Sequence, residues 1–146
     1  MGIGTFLSHD RGWNYDDAIE AFAVLARNAG SVDVEAGVSF SKSFVGFSYP
    51  AVHPPLPRPY RDGLRARLGL RLPSKVQSPV AVLVGAELVH NRTEGEARAT
   101  TAAGAAGLGL GFGPERRGMI DLRYVRFAKR LGSSRAILPV TVGWQL

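Results

Sequence analysis

The 146-residue chain has no cysteine, only three histidines, and no apolar run near the roughly 20 residues that a helix needs to cross a bilayer. Each shortage closes a class of function. Without cysteine there are no disulfides and no thiolate metal or redox sites, a composition that suits an oxidising periplasm and the cytosol equally. His9, His53 and His90 are scattered with no ligand spacing, so neither a metal nor any other cofactor is expected. A membrane helix is excluded, but a membrane barrel is not, because its signal is spread over many short alternating segments. Met1 to Ser8 lacks a basic region followed by an apolar core, so no secretory signal is expected there and an exported protein would be present in its mature form.

What the chain does have is glycine, 18 residues of it, and basic charge, with a net +6. One domain fits this length. The arginines alternate with leucines instead of forming a basic run, which argues against nucleic acid as a partner and for lipid phosphate. The alternation is clearest in Gly63 to Pro73, GLRARLGLRLP, where Leu64, Ala66, Leu68, Leu70 and Leu72 interleave with Arg65, Arg67, Gly69 and Arg71. A period of two means a strand with one aliphatic face and one guanidinium face.

Seven further segments read as strands, giving eight. Gly2 to His9 is the first. Asp17 to Asn28 is ambiguous, since DAIEAFAVLARN also fits a capped amphipathic helix; the short turn that follows favours a strand. In Val32 to Phe44, valines and Phe40 alternate with Asp33, Glu35 and serines. A proline-rich loop, Val45 to Asp62, separates this from the arginine strand. After the turn Ser74 to Ser78, Val80 to Leu88 alternates around Glu87, and a polar loop, Asn91 to Ala97, follows. Arg98 to Gly113 sets Leu108, Leu110 and Phe112 against Gly107, Gly109 and Gly111, as expected where an inner face must leave room for facing arginines. Met119 to Lys129 follows the turn Pro114 to Gly118, with a bulge expected near Val125. Ile137 to Leu146 closes the chain.

The connections after the first, third, fifth and seventh strands are expected to be mostly longer, the proline-rich one most of all, and the others short, as in an up-and-down meander with its outer loops at one end. The fold class expected is therefore all-β: an eight-stranded antiparallel up-and-down transmembrane barrel filling residues 1–146. In it, Asp33, Glu35, Glu87 and Asp121 pair with Arg65, Arg67, Arg71 and Arg123 across a narrow lumen, since an isolated buried charge is very costly. Phe40, Phe44, Tyr124 and Phe127 near the long-loop end, with Phe112 and Trp144 near the other, form two aromatic girdles. Phe47, Tyr49, Arg58, Tyr60 and Arg61 of the proline-rich loop are the candidate outer contacts, to lipopolysaccharide or to a protein partner.

On this pattern, and on the final strand ILPVTVGWQL, the chain resembles the small eight-stranded outer-membrane barrel proteins, similar to the OmpA transmembrane domain and OmpX. The resemblance implies a location in the bacterial outer membrane, bilayer lipid and lipopolysaccharide as neighbours, and recognition by the barrel assembly machinery through Val140, Val142, Trp144 and Leu146. The family usually ends in Phe or Trp, and here the last residue is Leu146.

Catalytic constellations are weak. His9 lies between Ser8 and Asp10, but adjacent side chains on a strand diverge. His90 with Asn91, Thr93, Glu94 and Glu96 is similar to the lipid A deacylase group, without its serine. GLGLGFGP lacks the Lys-Ser/Thr of a phosphate loop. No enzyme activity is expected. The alternatives are a soluble lipocalin-like barrel with an apolar cavity and a lipid A-modifying hydrolase.

Overall fold

The computed structural model describes residues 1–9, 13–43, 62–92, 97–131 and 134–144. The strands are β1 (Gly2–His9), β2 (Trp13–Ala29), β3 (Val32–Ser43), β4 (Asp62–Leu72), β5 (Val80–Arg92), β6 (Ala99–Phe112), β7 (Gly118–Leu131) and β8 (Ser134–Trp144). Each pairs antiparallel with its sequence neighbours, and β1 pairs with β8, so the sheet closes. Closure removes most of the exposed sheet edge that hydrocarbon cannot tolerate. β1 reaches Phe22, so Ala23–Ala29 pairs with β3 alone. The segment left open between helix and strand is a strand. Its Ala-rich composition favours a helix locally, and pairing with β3 along Ala18 to Ala29 overrides that preference.

Two expectations about the connections need correction. They do not alternate in length. Those at one end span residues 10–12, 44–61, 93–98 and 132–133, and those at the other span 30–31, 73–79 and 113–117. Only 44–61 is long, because β2, β7 and β8 run further toward that end than their apolar patterns suggest. Nor does β7 change phase at Val125: Asp121, Val125 and Phe127 stay inward and Leu122, Tyr124 and Arg126 outward. Register irregularities lie instead between Arg126 and Leu131 against β8, and between Gly4 and Phe6 in β1.

The inner-end turns are tied together. Gly30 takes φ 79°, a left-handed conformation that suits glycine in a two-residue hairpin. Asn28 braces it: the Asn28 amide donates to the Gly30 carbonyl at 3.3 Å and its side-chain oxygen accepts from the Gly30 N–H at 3.2 Å. The same amide donates to Asp33 at 2.8 Å and to Ser74 Oγ at 2.6 Å. Ser74 donates to Asp33 at 2.8 Å, as does the Lys75 backbone N–H at 2.9 Å. The β2–β3 and β4–β5 turns are thereby stitched into one base. Burial pulls the Lys75 ammonium below its ordinary pKa.

Candidate functional site: a charged lumen, an apolar plug and a basic rim

The inward faces of β3, β4, β5 and β7 carry the charges. From the long-loop end of β4 inward come Arg65, Arg67 and Arg71. Arg71 is almost fully buried and makes two ion pairs, from Nε to Glu35 at 2.9 Å and from Nη2 to Asp121 at 2.8 Å. Arg123 reaches the other oxygens of the same carboxylates, at 3.1 Å and 3.3 Å. Two arginines and two carboxylates thus form one closed square. Nearer the long-loop end, Arg65 binds Glu87 at 3.2 Å and Glu20 as well.

Arg67 lies between the two groups. Among the described residues no carboxylate is within ion-pair distance of it. Its guanidinium sits 5.5 Å from the centre of the Phe22 ring, a cation–π geometry. In register it stands opposite Glu87 on one side and Gly37 on the other. Among the described residues above the turn base, Arg65, Arg67, Arg71 and Arg123 give +4, and Glu20, Glu35, Glu87 and Asp121 give −4, while Asp33 serves the turn base. Without Arg67 these groups would carry one surplus negative charge, spread over carboxylates that keep their own arginine partners.

Glycines make the room. A Cβ at Gly109 would collide with the Arg71 guanidinium and come within 2.8 Å of an Asp121 carboxylate oxygen. At Gly37 a Cβ would come within 3.0 Å of Arg67 Nε.

Beyond Arg65 the lumen holds buried Ser41 and Asn91 together with an apolar cluster. Val89, Ala103, Val125, Phe127, Leu131 and Ile137 pack together inside the long-loop end of β5 to β8. Phe127 therefore does not belong to an outward girdle. It is 6% exposed and shares the inward parity of Asp121 and Arg123. Asp33 is also placed differently from expectation. It is buried, but its oxygens serve the turn base, because its register partner Arg71 points up to Glu35 and Asp121. Glu20 and Phe22 went unforeseen, because the inner face of β2 mixes Glu20 with Phe22, Val24 and Ala26 and shows no polar alternation.

Outside, the picture inverts. Leu25, Val38, Phe40, Leu64, Leu68, Leu88 and Leu108 are all at least half exposed. Phe40 and Tyr124 face outward toward the long-loop end, and Phe112 and Trp144 toward the other, their rings in edge contact at 6.1 Å. Val140, Val142 and Trp144 line the outer face of β8. Phe44, Phe47, Tyr49, Arg58, Tyr60, Arg61 and Leu146 lie outside the described residues. His90 is on β5, not in a loop, with Nδ1 2.8 Å from Thr100 Oγ1 on the outer face.

Soluble proteins rarely expose contiguous apolar surface on this scale, whereas a transmembrane barrel requires it. The chain has membrane-barrel polarity. A soluble barrel with a Leu- and Val-lined ligand cavity is not what it forms, since its aliphatic face looks out and its guanidinium face in. The fold implied by the resemblance to small outer-membrane barrels is the fold found. Among solved structures, the backbone structure of the Yersinia pestis outer membrane protein Ail in phospholipid bilayer nanodisc aligns with a TM-score of 0.49 at 14% identity, covering 99% of this chain and 96% of that one. No protein-family model and no curated protein sequence matches the chain.

One further group was not foreseen. Arg92, Arg98, Arg126, Lys129, Arg130 and Arg135 are all exposed on the long-loop half of β5 to β8. Among the described residues none of them has a carboxylate within ion-pair distance.

Proposed function

We propose that the chain is a bacterial outer-membrane barrel with a structural or interaction role and no catalytic activity. It is held by its aliphatic exterior and sealed by a neutral, ion-paired lumen and an apolar plug. The observation that carries this reading is the inverted polarity: arginines and carboxylates paired inside, a belt of Leu, Val and Phe outside. Eight strands leave an interior that side chains fill. With Phe127, Leu131 and Ile137 across one end, steady ion conductance in a planar bilayer should be absent.

The long-loop end is the contact end in this reading. Its outward cations would meet lipopolysaccharide phosphates, and the 44–61 connection, with Phe47, Tyr49, Arg58, Tyr60 and Arg61, would meet lipid or a protein partner. Val140, Val142 and Trp144 on the terminal strand would serve recognition by the assembly machinery. The experiment that tests the membrane reading is refolding into detergent or lipid. The unheated protein should migrate faster on a gel than the boiled one. A chain that stays folded and monomeric without detergent would sink the proposal.

A further inference from the structure

Arg67 points inward from β4, yet among the described residues its guanidinium takes no carboxylate and no hydrogen bond, only the face of the Phe22 ring. The strongest charge acting on it is a like one, that of Arg123 on β7. Arg123 is itself incompletely used. It binds Glu35 and Asp121 through Nη2, while its Nε is fully buried and has no hydrogen-bond partner. Two guanidinium groups therefore oppose one another with N–H donors to spare.

The wall near them is low. Gly69 stands opposite Gly85, and Gly85 opposite Ala105, one row of the sheet on the inward faces of β4, β5 and β6. Gly107, the next inward position on β6, stands opposite Arg123. A Cβ at Gly69 would meet only backbone, the Val84 carbonyl oxygen at 3.1 Å and the Gly85 Cα at 3.9 Å. Room is thus left beside Arg67, which is part-exposed although it points inward. From the inner end, a cavity of about 70 Å³ leads between Lys75, Met119 and Val24 to the Phe22 ring. Space on that scale admits a few water molecules or one small ion. The two carboxylates along it are already engaged. Asp33 accepts from Asn28, Ser74 and the Lys75 backbone N–H, and Glu35 accepts from Arg71 and Arg123.

The paired groups are neutral as a set, so an ion in this space would exchange with solution instead of being trapped. Its sign is selected locally. Buried donors without an acceptor cost free energy until one is supplied, and an anion would screen the repulsion between two like cations. We infer that Arg67 and the Nε–H of Arg123 form an internal binding site for a small monovalent inorganic anion such as chloride, entered from the inner end and closed toward the other by the apolar plug. The site goes beyond the structural role proposed above, because it gives the lumen a ligand.

The test follows the arginine side-chain N–H signals of the isotopically labelled, refolded barrel by NMR while sodium bromide replaces sodium gluconate at constant ionic strength. Gluconate is too bulky for the inner route. The Arg67 and Arg123 signals should shift together and saturate with one midpoint, while those of exposed Arg126 and Arg130 should not saturate. Anomalous diffraction from crystals grown in bromide should place an ion within hydrogen-bond distance of Arg67, with no variant needed. Arg67→Gln removes a charge-assisted donor set, so the midpoint read at Arg123 should rise at least about tenfold while the fast-migrating folded band is kept. Arg27→Gln, an exposed cation at the inner end of β2, should leave the midpoint unchanged. Arginine signals that all drift without saturating, bromide confined to the surface, or an unchanged midpoint in Arg67→Gln overturns the inference. If Arg67→Gln failed to fold, diffraction on the parent protein would decide alone. A chain that stayed folded without detergent would sink the membrane reading, and the same titration in plain buffer would still test the site.

Discussion

Arg71 and Arg126 are the same residue type on two strands of one sheet, and they live in opposite circumstances. Arg71 is buried, and two carboxylates from β3 and β7 close around it. Arg126 is exposed on β7 with only cations near it in sequence. The difference separates arginines that the fold needs from arginines that the fold merely carries. A buried charge must be neutralised by the protein itself, so its partners are written into the same chain. A charge on the outside can draw on the surroundings for its counter-ion, so its partner need not be written into the chain.

Four substitutions would sharpen or break this contrast. The largest effect is expected from Arg71→Leu, which leaves Glu35 and Asp121 facing each other with Arg123 alone between them. Loss of about 3–5 kcal/mol is expected from breaking a buried ion pair in this way. Denaturant titration of the folded gel band would show it as failure to refold or a strongly lowered midpoint. Phe127→Ala comes next. It opens a void in the plug and should cost about 3 kcal/mol, as large-to-small changes in cores do. Normal stability there would mean that Phe127 contacts lipid after all. Arg67→Leu should cost about 1–2 kcal/mol, since its local contact is the Phe22 ring and its charge balances the lumen only at a distance. If it proved as damaging as Arg71→Leu, the division into a closed square and a bridging cation would be wrong. Smallest of all, Arg130→Gln should leave unfolding within about 0.5 kcal/mol of the parent, as exposed positions without partners generally do.

How far the fold was legible follows the same division. β3, β4 and β6 could be read from the chain because their two faces differ in chemistry: Asp33 and Glu35 against valines, arginines against leucines, glycines against leucines. β2 was obscure because its inner face carries Phe22 and Val24 beside Glu20, so alternation of polarity disappears although alternation of direction persists. The outer half of β7 failed for the mirror-image reason. Past Arg123 the lumen becomes apolar and the exterior basic, so Val125 and Phe127 inside with Arg126 outside looked like a change of phase. Counting by twos from Asp121 would have put Phe127 indoors. The 44–61, 73–79 and 113–117 connections were legible from their prolines, glycines and serines, but the first and last were read too long, since pairing carries β2, β7 and β8 through polar residues that read as loop.

The rim was missed for a different reason. Arg92 on β5, Arg98 just before β6, Arg126, Lys129 and Arg130 on β7 and Arg135 on β8 are spread along the chain, and antiparallel pairing of consecutive strands brings them to one side of one end. Periodicity along a strand carries no information about such a cluster.

Gly109 shows what the lumen demands of descent. The missing side chain there is the negative imprint of the Arg71 guanidinium, and a Cβ would also crowd Asp121. Three positions from three strands are thus one inherited unit. In any related barrel that replaces the arginine at position 71 with a small apolar residue, position 109 is free to acquire a side chain and one of positions 35 and 121 should lose its charge. A lineage that kept three of the four would carry either a clash or an unanswered charge, so these sites should change together or not at all.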